Sequence, residues 1–335
     1  ALLADLYLWQ GNWQKCGECC DYVIDFKKKE YESLKRRLQN EVYLFNDIPL
    51  LMEKVENTSG HAYNEIFGTG NSFESLFELT FSESLNTDNK NNYVGNYYAN
   101  SNGNQLSNGR LAPFDEFYGD LPTKSTDLFN VNDCRAYESI YQAGTTQYYI
   151  AKYAASRVTL DNQKANWKPA YSWRSNAYAH WIVYRLTDVV LMKAEALIEM
   201  GDANFEEAFS LINAVSKRAV NSFSPGTGEV LNFDDYKNSK ENMEQLVLDE
   251  RQRELMFEGK RWYDLVRRSQ RDGNTTILSN AALRKVTTGG SLIANKLTKM
   301  DAIYWPYNND EIKVNKKLVQ NPAFSSGEDS NYQKN

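Results

Sequence analysis

Histidine is almost missing from this 335-residue chain, which has only His61 and His180, far apart in sequence. No Ser-His-Asp set, phosphate loop or zinc-ligand spacing can be assembled from its motifs. Cysteine is scarce too. Four residues in this length do not make a disulfide scaffold. The one CxxC, within Cys16-Gly17-Glu18-Cys19-Cys20, would need further ligands to hold a metal, and two distant histidines do not supply them. It reads instead as small residues filling a helix–helix contact, since free cysteine packs as a small hydrophobe. Basic stripes are lacking, and the net charge is −6 with mixed signs, which argues against nucleic acid. No apolar run approaches the ~18 residues a spanning helix needs. What is abundant is aromatic: 13% of residues, including 22 Tyr and 7 Trp. With plentiful Asn, such side chains suit stacking and hydrogen bonding to sugars or peptides, although tyrosine is also ordinary core material.

Pattern is strongest between Trp181 and Arg268. Leu186, Val190, Ala194 and Leu197 recur at helical spacing on one face. Gly201-Asp202 then stops the helix, with Gly201 expected to take a left-handed conformation. A second stripe follows in Phe205, Ala208, Ile212, Val215 and Ala219. Two amphipathic helices joined by a short turn form a helical hairpin, a unit that stacks to bury its apolar faces. The start of the chain repeats the plan: a helix with Leu2, Leu3 and Leu6 as its apolar residues, a Gly11-Asn12 break, and a helix carrying Trp13, Cys16, Cys20 and Ile24. GNWQK at 11–15 and GDANFEEA at 201–208 form a weak repeat of the tetratricopeptide type. The first helix is in full period at Ala1 with no capping side chain before it, so a preceding segment, with any signal or lipid-attachment site, is expected to lie outside this sequence.

Between these hairpins the pattern weakens. Residues 27–45 mix charged and apolar residues and read as continued helix or loop. A strand is expected near 76–81, and short strands at Tyr148–Tyr153 and Arg157–Leu160. The stretch 86–125 is rich in Asn, Gly, Ser and Tyr and too long for a simple connector; loops of that length are often functional. The expected layout is one domain: repeat helices at 1–26, a loop-rich ligand-binding insertion at 27–180, repeat helices at 181–268, and an irregular wrap around the helical core at 269–335.

YRLTDVVLMKAEAL at 184–197, LDERQRELMFEGKRWYDLVR at 248–267 and IYWPYNNDEIKVNKKLVQNPAF at 303–324 resemble the SusD/RagB family of surface lipoproteins of Bacteroidetes-type bacteria. ALLADLYLWQGNWQK at the start, LFELTFS at 76–82 and Asp133-Cys134-Arg135 are similar to further family segments, with Cys134 standing where the family has Pro and NPAF where it has NPGY. The resemblance implies a mainly α fold: a tetratricopeptide-like helical scaffold of four repeats, two of them largely outside this chain or at its edge, with an aromatic-rich insertion carrying a few short strands. It also implies no catalytic activity and no cofactor. The expected role is capture of oligosaccharides, or peptides in some branches, at the outer-membrane surface, on a lipid anchor, as the lid of a SusC-like TonB-dependent transporter.

Glu250 and Glu254 lie four apart on one helical face and could be mistaken for a catalytic pair. Asp249–Arg253, Glu250–Arg253 and Arg251–Glu254 are opposite-sign pairs at helical spacing, which favours a structural role. Trp262 reads as a core anchor. The ligand platform is therefore expected among the loop aromatics and their polar neighbours: Asn96, Tyr97, Tyr98, Tyr118, Trp167, Tyr171 and Trp173. Sugar rings present apolar C–H faces for stacking, and their hydroxyls require polar partners. A peptide ligand with the same fold and transporter, and a helical-repeat adaptor binding only proteins, stay open as alternatives.

Overall fold

The computed structural model describes the chain except for residues 56–57, 85–86, 90–91, 103–104, 108, 114–127, 131–132, 144–146, 162–168, 175–177, 221–230, 285–288 and 325–335. It comprises two compact units, Ala1–Gly259 and Lys260–Asn335. The division falls within the stretch 181–268.

The first unit is built around the helix Leu186–Met200, which packs against the helices Trp13–Leu38, Phe205–Val220 and Lys240–Leu255. Surrounded on several sides, it buries twelve of its residues, including the predicted stripe Leu186, Val190, Ala194 and Leu197. The partner stripe Phe205, Ala208, Ile212, Val215 and Ala219 is buried as well. Gly201 does end the first helix at positive φ (+108°), but with ψ 177° it is extended rather than left-handed helical, a region open to glycine. At the other end, the Asn12 side chain accepts a hydrogen bond from Lys15 N and starts the helix that buries Cys16, Cys20 and Ile24. Cys16, Cys20 and Cys134 are buried free thiols and Cys19 is half-buried.

The stretch 27–45 begins as continued helix: the helix that starts at Trp13 runs on to Leu38, and its far end buries Tyr31 and Leu38 in a second apolar cluster with Tyr63, Ile66 and Val158. One sequence reading is corrected here. In the first helix, Leu2–Trp9, the buried residues are Ala4 and Leu8, whereas Leu2, Leu3 and Leu6 are 61%, 52% and 50% exposed. That helix is apolar on nearly every side, so its period does not select a face.

The middle of the chain folds as short antiparallel pairs rather than a single sheet. Val42–Phe45 pairs with Ile48–Leu51 through a two-residue turn, Asn46-Asp47, with both φ values positive as a primed hairpin turn requires. Ile140–Ala143 pairs with Gln147–Ile150. Ala155–Asp161 lies between Ala170–Trp173 and the small hairpin of Lys54–Val55 and Thr58–Ser59. The expected strand near 76–81 is Ser75–Leu79, paired with Trp181–Arg185. The strand expected to reach Tyr153 ends at Ile150; Tyr153 is instead a fully buried residue at φ +64°, a conformation costly for a bulky side chain.

In the second unit, the helix Arg261–Asp272 ends at left-handed Gly273 and is followed by Thr276–Leu283 and Gly290–Leu297. Trp262, read from the sequence as a core anchor, is 40% exposed.

Candidate ligand-binding site

The carboxylates that drew attention in ERQREL are fully occupied. Glu254 accepts from Arg185 (2.6 Å), Arg135 (3.1 Å) and Arg218, all buried with it. Arg185, set at the junction of strand and helix, also grips Glu258 with two nitrogens at 2.9 and 2.8 Å and donates to the Glu254 carbonyl at 2.9 Å and to Thr187. Arg135 chelates Asp133 at 2.9 and 2.7 Å and reaches Glu250 at 2.7 Å. Lys152 holds Glu258 at 2.6 Å, and Arg218 holds Glu74 at 2.7 Å. Of the pairs read at helical spacing, Glu250–Arg253 forms, at 2.8 Å. Arg251 pairs with Asp188 at 3.0 Å, and Asp249 accepts from Gln245 at 2.8 Å.

Burial alone would raise the Glu254 carboxyl, but Arg218, Arg185 and Arg135 overturn that and hold it well below the ordinary glutamate range. Glu258 is lowered in the same way: burial opposes, Arg185 and Lys152 win. A carboxylate kept ionised by three guanidiniums is a poor proton donor or acceptor near neutral pH. The motif is an internal ionic brace.

The open chemistry lies in an aromatic cleft of about 420 Å³. One wall is the strand pair, where Trp181 stands opposite Leu79, with Phe81 just beyond. The other is the short helix Asn92–Tyr97, whose residues Tyr93 and Tyr97, four apart, stack at 6.2 Å and 22°. Leu111 closes a third side. Its segment is laced onto the helix end: Gly109 N donates to Tyr98 O (2.9 Å), Arg110 N to Asn96 O (2.9 Å) and Leu111 N to Tyr97 O (3.0 Å). Gly109 is required for that approach, because a Cβ there would lie 2.5 Å from both the Tyr97 carbonyl carbon and Tyr98 O. The lacing brings the Arg110 guanidinium over the Tyr97 ring, 5.7 Å from its centre. Beneath the cleft, Trp181 stacks on buried Tyr153 at 4.9 Å and 19°, and Tyr153 in turn meets Phe67 edge-on at 5.1 Å.

The seven sequence candidates divide. Tyr97 and Tyr98 line this cleft, and Asn96 is exposed beside it. Tyr93 is 72% exposed and free to stack, whereas Tyr98 is buried and its hydroxyl donates to Phe257 O at 2.6 Å, so Tyr98 serves as floor. Tyr171 and Trp173 belong to a different group: they stack on each other at 5.4 Å and 12° and both meet Tyr141 edge-on. The Tyr171 hydroxyl is committed to Tyr137 O at 2.7 Å. Tyr118 and Trp167 lie outside the described residues. Tyr93, Leu79, Leu111 and Trp181, which also line the cleft, were not among the sequence candidates. The Tyr93–Tyr97 spacing in NNYVGNYY was an available signal; the approach of Leu111 and Trp181 was not.

Comparison with known proteins decides the family. The SusD family matches residues 73–324, well over half of the chain. The chain belongs to the SusD family. The SusD-like protein P38 of Formosa agariphila is 33% identical over 196 residues, which is 57% of this chain and 32% of that protein. A SusD superfamily protein of Bacteroides vulgatus shares the fold at a TM-score of 0.57 and 19% identity, covering 97% of this chain and 58% of that one. One from Parabacteroides distasonis does so at 0.54 and 21%, covering 96% and 61%. The chain thus spans about a third of its curated relative and under two thirds of these structures. SusD-family proteins are non-catalytic binding proteins of the cell surface, and the mainly helical architecture with short strands matches the family's structures.

Proposed function

We propose that this chain is the ligand-capturing part of a lipid-anchored outer-membrane protein. It holds an oligosaccharide in the aromatic cleft and delivers it to a SusC-like TonB-dependent transporter. The observation that carries the reading is the open Tyr93–Tyr97 stack facing Trp181, with Arg110 and Asn96 at its rim. Aromatic faces accept the C–H surface of a sugar, and the guanidinium and amide are available to hydroxyls. Membership of the SusD family supports the surface location, the lipid anchor and the transporter partner. Tyr171 and Trp173 are proposed as a second aromatic surface for a longer glycan, and Tyr118 and Trp167 stay proposed as ligand contacts.

Among the described residues, the near-absence of polar groups inside the cleft favours one rival, a peptide that inserts an apolar side chain. Calorimetric titration of a glycan panel and a peptide panel into wild type and a Tyr93→Ala/Tyr97→Ala double variant tests both readings. Glycan affinity lost in a folded double variant supports the proposal. Affinity for peptides alone, lost in the same variant, replaces the ligand, and unchanged glycan affinity rejects the cleft.

A further inference from the structure

Next to the ionic brace is a small enclosed cavity of about 30 Å³, lined in part by Glu53, Cys134 and Glu138. Glu53 immediately precedes the strand Lys54–Val55. Cys134 caps the helix Arg135–Ser139, and Glu138, four residues on, stands on the same face. One donor atom from each side chain lies within 4.8 Å of the others, and all three residues are buried. The volume is that of about one water molecule or one small ion.

Charge makes this corner unlike the rest of the brace. Arg135, Lys152, Arg185 and Arg218 also line the cavity, but their bonds go to Asp133, Glu74, Glu250, Glu254 and Glu258. Among the described residues, neither Glu53 nor Glu138 has a cation at ion-pair distance. Glu53 is bonded by Gly60 N at 2.5 Å, while the buried Glu138 Oε1 has no hydrogen-bond partner. Two buried carboxyls therefore face each other with no ion pair of their own among the described residues, although the charge of Arg218 acts on both. Burial, and then each other's charge, pushes Glu53 well up, and burial raises Glu138. Burial and the charge of Glu138 likewise raise the Cys134 thiol.

We propose that Glu53, Cys134 and Glu138 form a site for one divalent transition-metal ion of the zinc class, seated in this cavity. The donor set, one sulfur and two carboxylate oxygens with room for one water, suits a four-coordinate borderline metal and not calcium or magnesium, which take oxygen alone. Cysteine binds such a metal as thiolate, so loading displaces the Cys134 thiol proton. The ion would tie the small hairpin at 54–59 to the helix that carries Arg135.

Because the cavity is enclosed, the test refolds the full chain with excess Zn2+ or Co2+ and then removes free metal by gel filtration. Elemental analysis should find one metal per chain. The cobalt form should show thiolate-to-metal charge-transfer absorption, and loading should release the thiol proton. Cys16→Ala, which removes a buried thiol elsewhere, should keep all three signals. Cys134→Ala should lose the charge-transfer band, and the near-isosteric Glu138→Gln should lower affinity at least ~10-fold. Wild type that refolds without taking up metal overturns the proposal. So does a Cys134→Ala chain that retains the same stoichiometry and spectrum.

Discussion

The ionic brace and the aromatic cleft share the strand Trp181–Arg185, yet they treat their side chains in opposite ways. At one end of the strand every nitrogen of Arg185 is bonded, inside a network that holds Glu254 and Glu258 ionised. At the other, Trp181 offers a half-buried face to a cleft in which the described residues place hardly a polar atom. The most conspicuous charged motif in the chain is thus structural, and the proposed binding chemistry lies where charge is sparse. Satisfied groups hold shape, and open ones are left to meet a ligand.

Four experiments sharpen or break that contrast. The largest effect is expected from Arg185→Ala, which strands Glu254 and Glu258 as buried charges and should cost ~3–5 kcal/mol. Urea unfolding reads it, and a loss below ~1 kcal/mol, the range of surface ion pairs, would show that the brace is not what holds the fold. Acid comes next. The folded values of Glu254 and Glu258 lie below the ~4.3 of an unfolded glutamate, so their contribution is complete above that pH and is lost as the pH falls through the depressed values. The urea midpoint, followed from neutral pH downward, should therefore drop on the acid side of that value. An earlier decline, beginning near neutrality, would contradict the assignment.

On the cleft side, Tyr93→Ala/Tyr97→Ala should weaken glycan binding by tenfold or more, ~1.4 kcal/mol, with little change in stability. Equal losses of affinity and stability would place these tyrosines in the scaffold instead. Smallest is Tyr98→Phe. It leaves the Phe257 carbonyl without its donor, so it should cost ~1 kcal/mol of stability and leave ligand affinity unchanged. A drop in affinity at full stability would move Tyr98 from floor to binding surface.

What could be read from the sequence follows the same divide. The helices Leu186–Met200 and Phe205–Val220 were legible because their apolar residues repeat at helical spacing, even though the first is buried on several sides. The short first helix was not, since Leu2, Leu3, Ala4, Leu6 and Leu8 leave no polar side to define the opposite one. In ERQREL, inspection of neighbours three and four apart found Glu250–Arg253 but could not find Arg185, Arg135 or Arg218, which reach Glu254 across 36 to 119 positions. The cleft was half legible. Tyr97 was picked for its chemistry, but a cleft assembled from residues 79, 93, 97, 111 and 181 has no period. Its assembly depends on Gly109, whose missing side chain lets the Leu111 segment touch the end of helix Asn92–Tyr97.

Arg185 has one further consequence. It is the last residue of the strand that opens with Trp181, and its guanidinium fastens the end of that strand to helix Lys240–Leu255 and the turn beyond it. Trp181 is pinned from the other direction by Tyr153. That wall of the cleft is therefore set before any ligand arrives, and little ordering entropy is left for binding to supply. Free and occupied forms should superpose at Trp181, with any adjustment confined to the Leu111 side. The protein would behave as a rigid cradle whose selectivity is tuned by the segment laid over it.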